Sequence, residues 1–306
     1  MAGGIARVVV VVATEAVREA AERHHASPAA TVALGRGALS GLLLATLTKD
    51  EERVSVQILG DGPLGALTVD ASSAGTVRAF VRHPHAGPST PPRPRGAAAD
   101  ASGAATGRSL PAWVGRTGIV SVVRDLKLGA PFRGQTALGT GEIDEDVERY
   151  LLDSEQIDSA LGCEVLLDAS GEARLAAGVL VQALPNSEGN PLVETARERL
   201  RAGGLLAALE ASGGTAPDVE VLARAVVGEL TADLRVLERR PVRFHCSCSR
   251  ERATATLSLL GEVELGEMIA TDGRADVTCD FCRREYQFTA EEVETIRAGL
   301  ISGKPN

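Results

Sequence analysis

Two short stretches near the end of the chain, 244-FHCSCSRERA-253 and 277-VTCDFCRREYQF-288, hold four of its five cysteines. The first contains Cys246 and Cys248, and the second contains Cys279 and Cys282. Residues two apart in an extended segment project to the same side, and a three-residue step is the knuckle spacing that lets two sulfurs reach one ion. The spacing therefore predicts that the four thiols converge on one site.

A structural metal site is the best explanation of such convergence. Four thiolates in a tetrahedral arrangement are a typical zinc shell, and they leave no open position for a substrate or an activated water. We predict one Zn²⁺ per chain in the reduced form, held by Cys246, Cys248, Cys279 and Cys282.

The segment that surrounds these cysteines is too short to build a large core of its own. Half of the aromatic residues of the chain flank the cysteines, and we expect them to form a miniature core around the metal: Phe244, Phe281, Tyr286 and Phe288. Structural zinc contributes about 10–16 kcal/mol to the folding of small modules. Without the metal, this module is expected to unfold.

Thiolates are also the groups that oxidants attack. A disulfide between Cys246 and Cys248 favours a bent chain that is incompatible with the metal-bound form, so oxidation would eject the ion and unfold the module together. The alternative is a permanent zinc knuckle that does not respond to redox state. Chemistry of the residues alone leaves both hypotheses open.

Length and composition indicate a globular protein of more than one domain. The chain has 306 residues, of which 44% are hydrophobic and 24% charged, and its net charge is −9. A phosphate backbone would be repelled, so nucleic acid is not an expected partner. We expect no signal peptide, no transmembrane helix and no membrane partner, and we predict a cytoplasmic protein whose thiols are kept reduced.

The amino-terminal part mixes helices and strands. The run 6-ARVVVVVA-13 predicts a buried strand, Thr14 is expected to cap the next helix, and Ser27 with Pro28 is expected to open a longer one. Residues 53–82 predict a three-strand antiparallel meander, and residues 163–184 a hairpin about 168–172. Between them, residues 84–111 predict an exposed, mobile insertion, followed by a strand in 118-GIVSVVRDL-126 and a helix in 145-EDVERYLLDSE-155.

A connector of short amphipathic helices, broken by paired glycines, follows from Pro191 to about Glu238. Its longest helix is expected to align one apolar stripe, made of Leu222, Val226, Leu230, Leu234 and Leu237. The connector is either an ordinary helical linker or an element that depends on docking for its order. We predict an α+β fold with three parts: a mixed helix and antiparallel-sheet domain at 1–186, a helical linker at 187–238 and a zinc-binding domain at 239–306.

Other candidate sites are weaker. Cys163 lies in an apolar strand pattern, which is typical of a buried small residue rather than a nucleophile. His24 and His25 end a helix, and His245 adjoins Cys246 although four cysteines already complete a shell. Residues 60–65, GDGPLG, lack the Lys-Ser or Lys-Thr of a phosphate loop and predict a turn. No catalytic residue emerges, and we predict that the protein is not an enzyme.

The quoted cysteine stretches, together with 24-HHASPAATVALGRGALSGLLLATLTKDEERVSVQILGDGPLG-65 and 154-SEQI-157, resemble the heat shock protein 33 family. The resemblance implies a bacterial cytosolic holdase, which is inactive while reduced and zinc-bound and captures unfolding clients without ATP under oxidative stress. It implies disulfides Cys246–Cys248 and Cys279–Cys282 after zinc release, an unfolding linker and a homodimer when oxidised.

The residues alone leave two rival functions open. A zinc-ribbon regulator with a purely structural metal would bind nucleic acid and needs a basic face, which the net charge of −9 does not favour. A thiol oxidoreductase needs a cysteine pair that is not bound to metal.

Overall fold

The computed structural model describes residues 6–48, 52–87, 110–125, 131–184, 191–215, 217–228 and 235–301. The chain divides into two compact units, Met1–His245 and Cys246–Asn306. The predicted α+β class is confirmed, since helices and largely antiparallel sheets alternate along the chain. The predicted three-part division stays a prediction. In the structure, the helices between Pro191 and Val227 belong to the first unit.

The first unit contains nine strands and seven helices among its described residues. The strands are β1 Ala6–Val12, β2 Arg53–Gly60, β3 Ala66–Ser72, β4 Thr76–Val81, β5 Gly118–Asp125, β6 Phe132–Ala137, β7 Ser159–Leu167, β8 Ala173–Ala183 and β9 Arg243–Phe244. The helices are α1 Thr14–Arg23, α2 Pro28–Ala45, α3 Pro111–Val114, α4 Ile143–Glu155, α5 Pro191–Arg201, α6 Gly204–Ala211 and α7 Val219–Val227.

Two sheets form the framework of this unit. The larger sheet has the order β6-β5-β2-β3-β4-β9, and its neighbours are antiparallel except for β4 and β9, which are parallel. The predicted meander is confirmed as β2, β3 and β4, and the predicted hairpin as β7 and β8. The smaller sheet has the order β1-β8-β7. The amino-terminal run is a strand, as predicted, but it lies at a sheet edge and most of its residues are only half-buried.

Helix α2 is the central helix of the first unit. The Ser27 hydroxyl accepts a hydrogen bond from the Ala30 N–H at 3.3 Å, and Pro28 occupies the first turn, as predicted. By length and composition α2 is also long and apolar enough to cross a membrane, yet 94% of it is buried inside the protein. Gly37 and Gly41 face Leu67 and Val69 of β3 so closely that an added Cβ would come within 2.7 Å of them. The glycines thus let the helix approach the sheet.

One buried charge lies on α2. Arg36 is fully buried, and its guanidinium lies 2.5 Å from Glu142, 3.6 Å from Asp144 and 3.4 Å from Glu164. These carboxylates come from α4, the residue before it and β7. A buried charge is tolerated only when it is paired, so this cluster specifies how α2, α4 and β7 pack together.

Two local predictions were wrong, and one strand was not predicted. Thr14 is the first residue of α1 and not its cap; its hydroxyl accepts instead from the Ala176 N–H at 3.1 Å, which joins the helix to β8. Leu110 was expected in the exposed insertion, but it is fully buried in the main core and Pro111 begins α3. Strand β6 was not predicted, because its sequence lacks an alternating apolar pattern. Residues 88–109 of the predicted insertion lie outside the described residues.

In its described residues, the connector forms the separate helices α5, α6 and α7, as the paired glycines predicted. The predicted long stripe was wrong: α7 ends at Val227 because Gly228 has a φ of 69°, and Leu237 is 92% exposed. Leu222 and Val226 are buried as expected, whereas Leu230 and Leu234 lie outside the described residues. The prediction was wrong because the helical spacing of apolar residues continues in the sequence past a glycine at which the helix itself ends.

The second unit contains α8 Arg250–Ser258, α9 Glu262–Asp272, α10 Ala290–Ile301 and the antiparallel strands β10 Arg274–Thr278 and β11 Glu285–Thr289. Its buried core consists of Ala253, Leu257, Leu265, Ala275, Phe288, Val293 and Ile296. The predicted aromatic core is only partly correct. Phe288 is buried and Tyr286 packs at the edge, but Phe244 belongs to the first unit and packs against the main core there.

Candidate metal centre

Cys246 and Cys248 occupy the extended segment that opens the second unit. Ser249 directly follows them, and its hydroxyl accepts from the Arg252 N–H at 3.3 Å to cap α8. Arg250, in the first turn of α8, forms a 2.7 Å ion pair with Glu292 and lies 4.3 Å from the centroid of the Phe288 ring. The start of α8 is therefore held against α10 and β11, which positions the first thiol pair.

Cys279 and Cys282 occupy the turn between β10 and β11. The Cys279 N–H donates to the Arg284 carbonyl at 2.9 Å, and the Arg283 N–H donates to the Cys279 carbonyl at 2.9 Å. Arg283 closes the turn in the left-handed region, with a φ of 58°. This knuckle directs both sulfurs to one side of the hairpin.

The structure brings the four predicted ligand residues together. One sulfur from each of Cys246, Cys248, Cys279 and Cys282 lies within 4.8 Å of every other. The Sγ atoms of Cys246 and Cys279 are 3.7 Å apart, and those of Cys248 and Cys282 are 3.3 Å apart. A tetrahedral shell with metal–sulfur distances of about 2.3 Å separates neighbouring sulfurs by about 3.8 Å. The donor set and its spacing therefore fit one tetrahedral metal ion.

Tyr286 is an additional partner of this cluster. Its hydroxyl donates to the Cys248 Sγ at 3.2 Å. Burial raises the pKa of Cys248, but hydrogen bonds from Tyr286 and the other three thiols outweigh it and lower this pKa to about 7. Burial raises the pKa of Cys279, and it raises that of Cys282 to about 12. Without a cation, the thiols of Cys248, Cys279 and Cys282 therefore differ in how readily they lose a proton, whereas a bound cation favours the thiolate at each of them.

The other candidate residues lie outside the cluster of four cysteines. His245 belongs to the first unit, where its N–H donates to the Val77 carbonyl at 2.9 Å. Cys163 is buried, as predicted; its Sγ lies 3.6 Å from the Ser40 hydroxyl, and burial raises the pKa of the thiol well above its usual range. Residues 60–65 form the predicted turn between β2 and β3. Tyr286 was not predicted as a partner of Cys248, because a contact 38 residues away leaves no local signal.

The fold and this cluster define a class of protein in which a large α+β unit precedes a small unit built around four convergent cysteines. The sequence profile of one family, described as Hsp33 protein, matches residues 1–289. The chain belongs to this Hsp33 family.

Two similar proteins carry the name 33 kDa chaperonin. The chain is 40% identical over 305 residues to the 33 kDa chaperonin of Gloeobacter violaceus, covering 98% of this chain and 94% of that protein. It is 35% identical over 293 residues to the 33 kDa chaperonin of Listeria monocytogenes, covering 96% and 94%.

A solved structure agrees with the sequence relatives. The crystal structure of the 33 kDa chaperonin (heat shock protein 33 homologue) of Thermotoga maritima matches with a TM-score of 0.81 and 29% identity, over 99% of this chain and 97% of that one. These relationships confirm the predicted family and support a chaperone function. Chaperonins are generally not enzymes, which agrees with the predicted absence of catalysis.

Proposed function

We propose that the protein is a redox-regulated, ATP-independent holdase that binds unfolding proteins under oxidative stress. The observation that carries this proposal is the convergence of four reduced thiols in a unit whose buried core is small. A module that needs a bound cation for its fold loses that fold when its ligands are oxidised. The second part of the proposal is that this loss uncovers apolar surface elsewhere in the chain.

The metal would be one Zn²⁺, held by Cys246, Cys248, Cys279 and Cys282, since soft thiolates in a tetrahedral arrangement favour zinc. When bound, it would keep the thiolates deprotonated and tie α8 to the β10–β11 hairpin. The candidate disulfides are Cys246–Cys248 and Cys279–Cys282. Each would form as two thiols lose two protons and two electrons to one hydrogen peroxide, which is reduced to two waters. A sulfur engaged in a disulfide is no longer a thiolate ligand.

The linker helices supply the surface that would be uncovered. Ten of their buried residues belong to one apolar cluster: Leu192, Val193, Ala196, Leu200, Leu205, Leu206, Leu209, Leu222, Val226 and Val227. These residues cover a face of the β1-β8-β7 sheet that includes Leu166, Leu175, Val179 and Val181. Undocking of the linker would expose two complementary apolar surfaces, and contiguous exposed apolar area is what an unfolded client can bind.

The docking of the linker combines apolar contact with one ion-pair cluster. Arg197 on α5 lies 2.8 Å from Glu148 on α4 and 2.8 Å from Asp158, which precedes β7. Between the helices, Gly203 takes a φ of 83° and Gly213 a φ of 66°, so each break interrupts the backbone hydrogen-bond ladder. Short helices are marginal without tertiary contacts, which makes this linker a suitable two-state element.

An aggregation assay tests the proposed function. A heat-unfolding client is followed by light scattering in the presence of reduced, zinc-loaded protein or of protein treated with peroxide at elevated temperature. We expect suppression of aggregation only after the treatment, without added ATP. Equal suppression in both states, or suppression in neither, would contradict the redox switch. A zinc-ribbon regulator would bind nucleic acid and leave scattering unchanged, and an oxidoreductase would turn over a dithiol substrate.

Location and assembly follow from the same proposal. A switch that depends on reduced thiols at rest requires a reducing compartment, so we propose a cytoplasmic protein. We further propose that the oxidised form is a homodimer and that neither nucleic acid nor membrane is a partner. Analytical ultracentrifugation of the reduced and the oxidised protein tests the dimer, which should be present in the oxidised sample alone.

Replacement of Tyr286 by Phe should weaken zinc binding by about 10–100-fold, because a group that hydrogen-bonds to a metal ligand orients and stabilises that ligand. The measurement is competition against a chromophoric zinc chelator. Gln287→Ala is the matched control, since Gln287 is the exposed next residue on β11. Equal affinities for the Phe variant and the parent would show that the Tyr286 hydroxyl contributes nothing to the thiolate shell.

A further inference from the structure

The segment immediately before the first cysteine lies along an edge of the larger sheet. Its strand β9 pairs in parallel with β4, and the N–H groups of Arg243 and His245 donate to the carbonyls of Gly75 and Val77 at 3.0 and 2.9 Å. The Arg240 guanidinium donates to the Ser73 carbonyl at 2.6 Å. All of these contacts lie within the first unit. The chain therefore adds its own short strand to β4.

The side chains of this segment alternate between the core and solvent. Val242 and Phe244 are half-buried and pack against the main core, whereas Arg243 and His245 are exposed. The Phe244 ring also contacts α1, where the Arg23 guanidinium lies 5.3 Å from its centroid. Strand β4 and helix α1 thus form the two walls of a groove that holds an extended chain with apolar residues at alternate positions.

Gly75 lets the bound segment pass close to the β3–β4 turn. Its φ is 79°, and a Cβ at this position would lie 2.1 Å from the Pro241 carbonyl oxygen. No side chain fits there without displacing the segment. The groove therefore recognises an extended backbone at close range as well as two apolar side chains.

We propose that this groove, formed by β4 and α1, is a client-binding site that residues 240–245 occupy as an internal mimic of a client. Its external partner is an extended segment of an unfolded polypeptide with apolar side chains at alternate positions. This inference rests on the proposed function and names the surface that the client reaches. The mode is strand addition to an exposed sheet edge, in which backbone hydrogen bonds give affinity and alternate side chains give selectivity.

The attachment of the segment at both ends explains how access to the groove is controlled. Cys246 follows the segment directly, and the linker precedes it. While both neighbours are folded, the segment is held near the groove at a high effective concentration that a separate polypeptide cannot match. When the cysteine unit and the linker unfold, the tether lengthens and this effective concentration falls. Only a few contacts hold the segment, so a client then competes successfully.

A fluorescent peptide with the sequence of residues 239–245, RRPVRFH, tests the groove in the full-length protein. Fluorescence anisotropy should show binding to the peroxide- and heat-treated protein, and at least tenfold weaker binding to the reduced, zinc-loaded protein. A control peptide carrying Val242→Asp and Phe244→Asp should bind neither form. Equal binding of the parent peptide to both forms, or binding of the Asp peptide as tight as that of the parent, would overturn the proposal.

The variant Gly75→Asn tests whether the peptide binds in this groove. Asn tolerates a positive φ, but its Cβ occupies the space of the passing carbonyl, so the treated variant should bind the peptide at least tenfold more weakly. Gly213→Asn is the matched control, because Gly213 has a φ of 66° and its added Cβ meets nothing within 4 Å. Circular dichroism checks that both variants are folded. Unchanged peptide affinity in folded Gly75→Asn would place the peptide elsewhere and overturn the inference.

Client competition separates this inference from the proposed function. Where the treated protein suppresses aggregation, saturating peptide should abolish most of that suppression, and unchanged suppression would show that clients do not use the groove although the holdase function stands. Where the treated protein suppresses nothing, the proposed function fails. The inference of a client site then fails with it, and the peptide measurements decide only whether the groove accepts an extended chain.

Discussion

Removal of the metal from the reduced protein should unfold residues 246–301 and leave the first unit folded. Among the described residues of the second unit, the buried apolar cluster has seven members, and three of these are only alanine or valine. A structural zinc ion contributes about 10–16 kcal/mol, whereas whole domains are stable by about 5–15 kcal/mol. Loss of the ion therefore removes more free energy than such a core can replace. Hydrogen exchange after chelation should show lost protection in α8 to α10 and retained protection in α2.

Matched cysteine variants test the same prediction without a chelator. Cys248→Ser should lose stoichiometric zinc and show the same loss of protection, because a shell of three thiolates is incomplete. Cys163→Ala should retain one equivalent of zinc and a protected second unit, because Cys163 is buried in the core of the first unit. A chelated protein that keeps α8 to α10 protected would show that this unit folds without metal. The redox proposal would then lose its structural basis.

Replacement of Leu222 by Asp should release the linker without any oxidant. Leu222 is fully buried where α7 packs against the smaller sheet. Loss of a buried leucine costs about 2–5 kcal/mol, and the unpaired carboxylate adds a desolvation cost. The reduced, zinc-loaded variant should therefore suppress client aggregation, and limited proteolysis should cut its linker faster than that of the parent protein.

Val221→Asp provides the control for this variant. Val221 is the preceding residue on the same helix and is 53% exposed, so the same charge is placed in solvent at little cost. This variant should remain inactive while reduced and should resist proteolysis like the parent protein. Both variants must retain one equivalent of zinc, which metal analysis measures. A Leu222→Asp protein that is cut rapidly but remains inactive would show that linker release alone does not create the client-binding surface.

Two predictions that depended on neighbouring residues were correct. Ser27 and Pro28 open α2 because a capping hydroxyl and a first-turn proline act within one helical turn. The meander of β2 to β4 follows from short turns between alternating strands. Two other predictions failed where a distant group competed with the local one. The Thr14 hydroxyl accepts from Ala176 rather than from its own helix, and Leu110 is drawn into a core that the composition of the insertion did not indicate.

The amino-acid sequence alone determined the four thiols and their two spacings and predicted their convergence in a small unit, because ligand spacing is a local property of the chain. Only the tertiary structure decided which groups surround them: the Tyr286 hydroxyl reaches Cys248 because the hairpin folds back on the first cysteine pair. The same holds for the three carboxylates around Arg36 and for the docking of β9 on β4. These contacts join residues far apart in the chain, and their energies exist only after the core has brought the elements together.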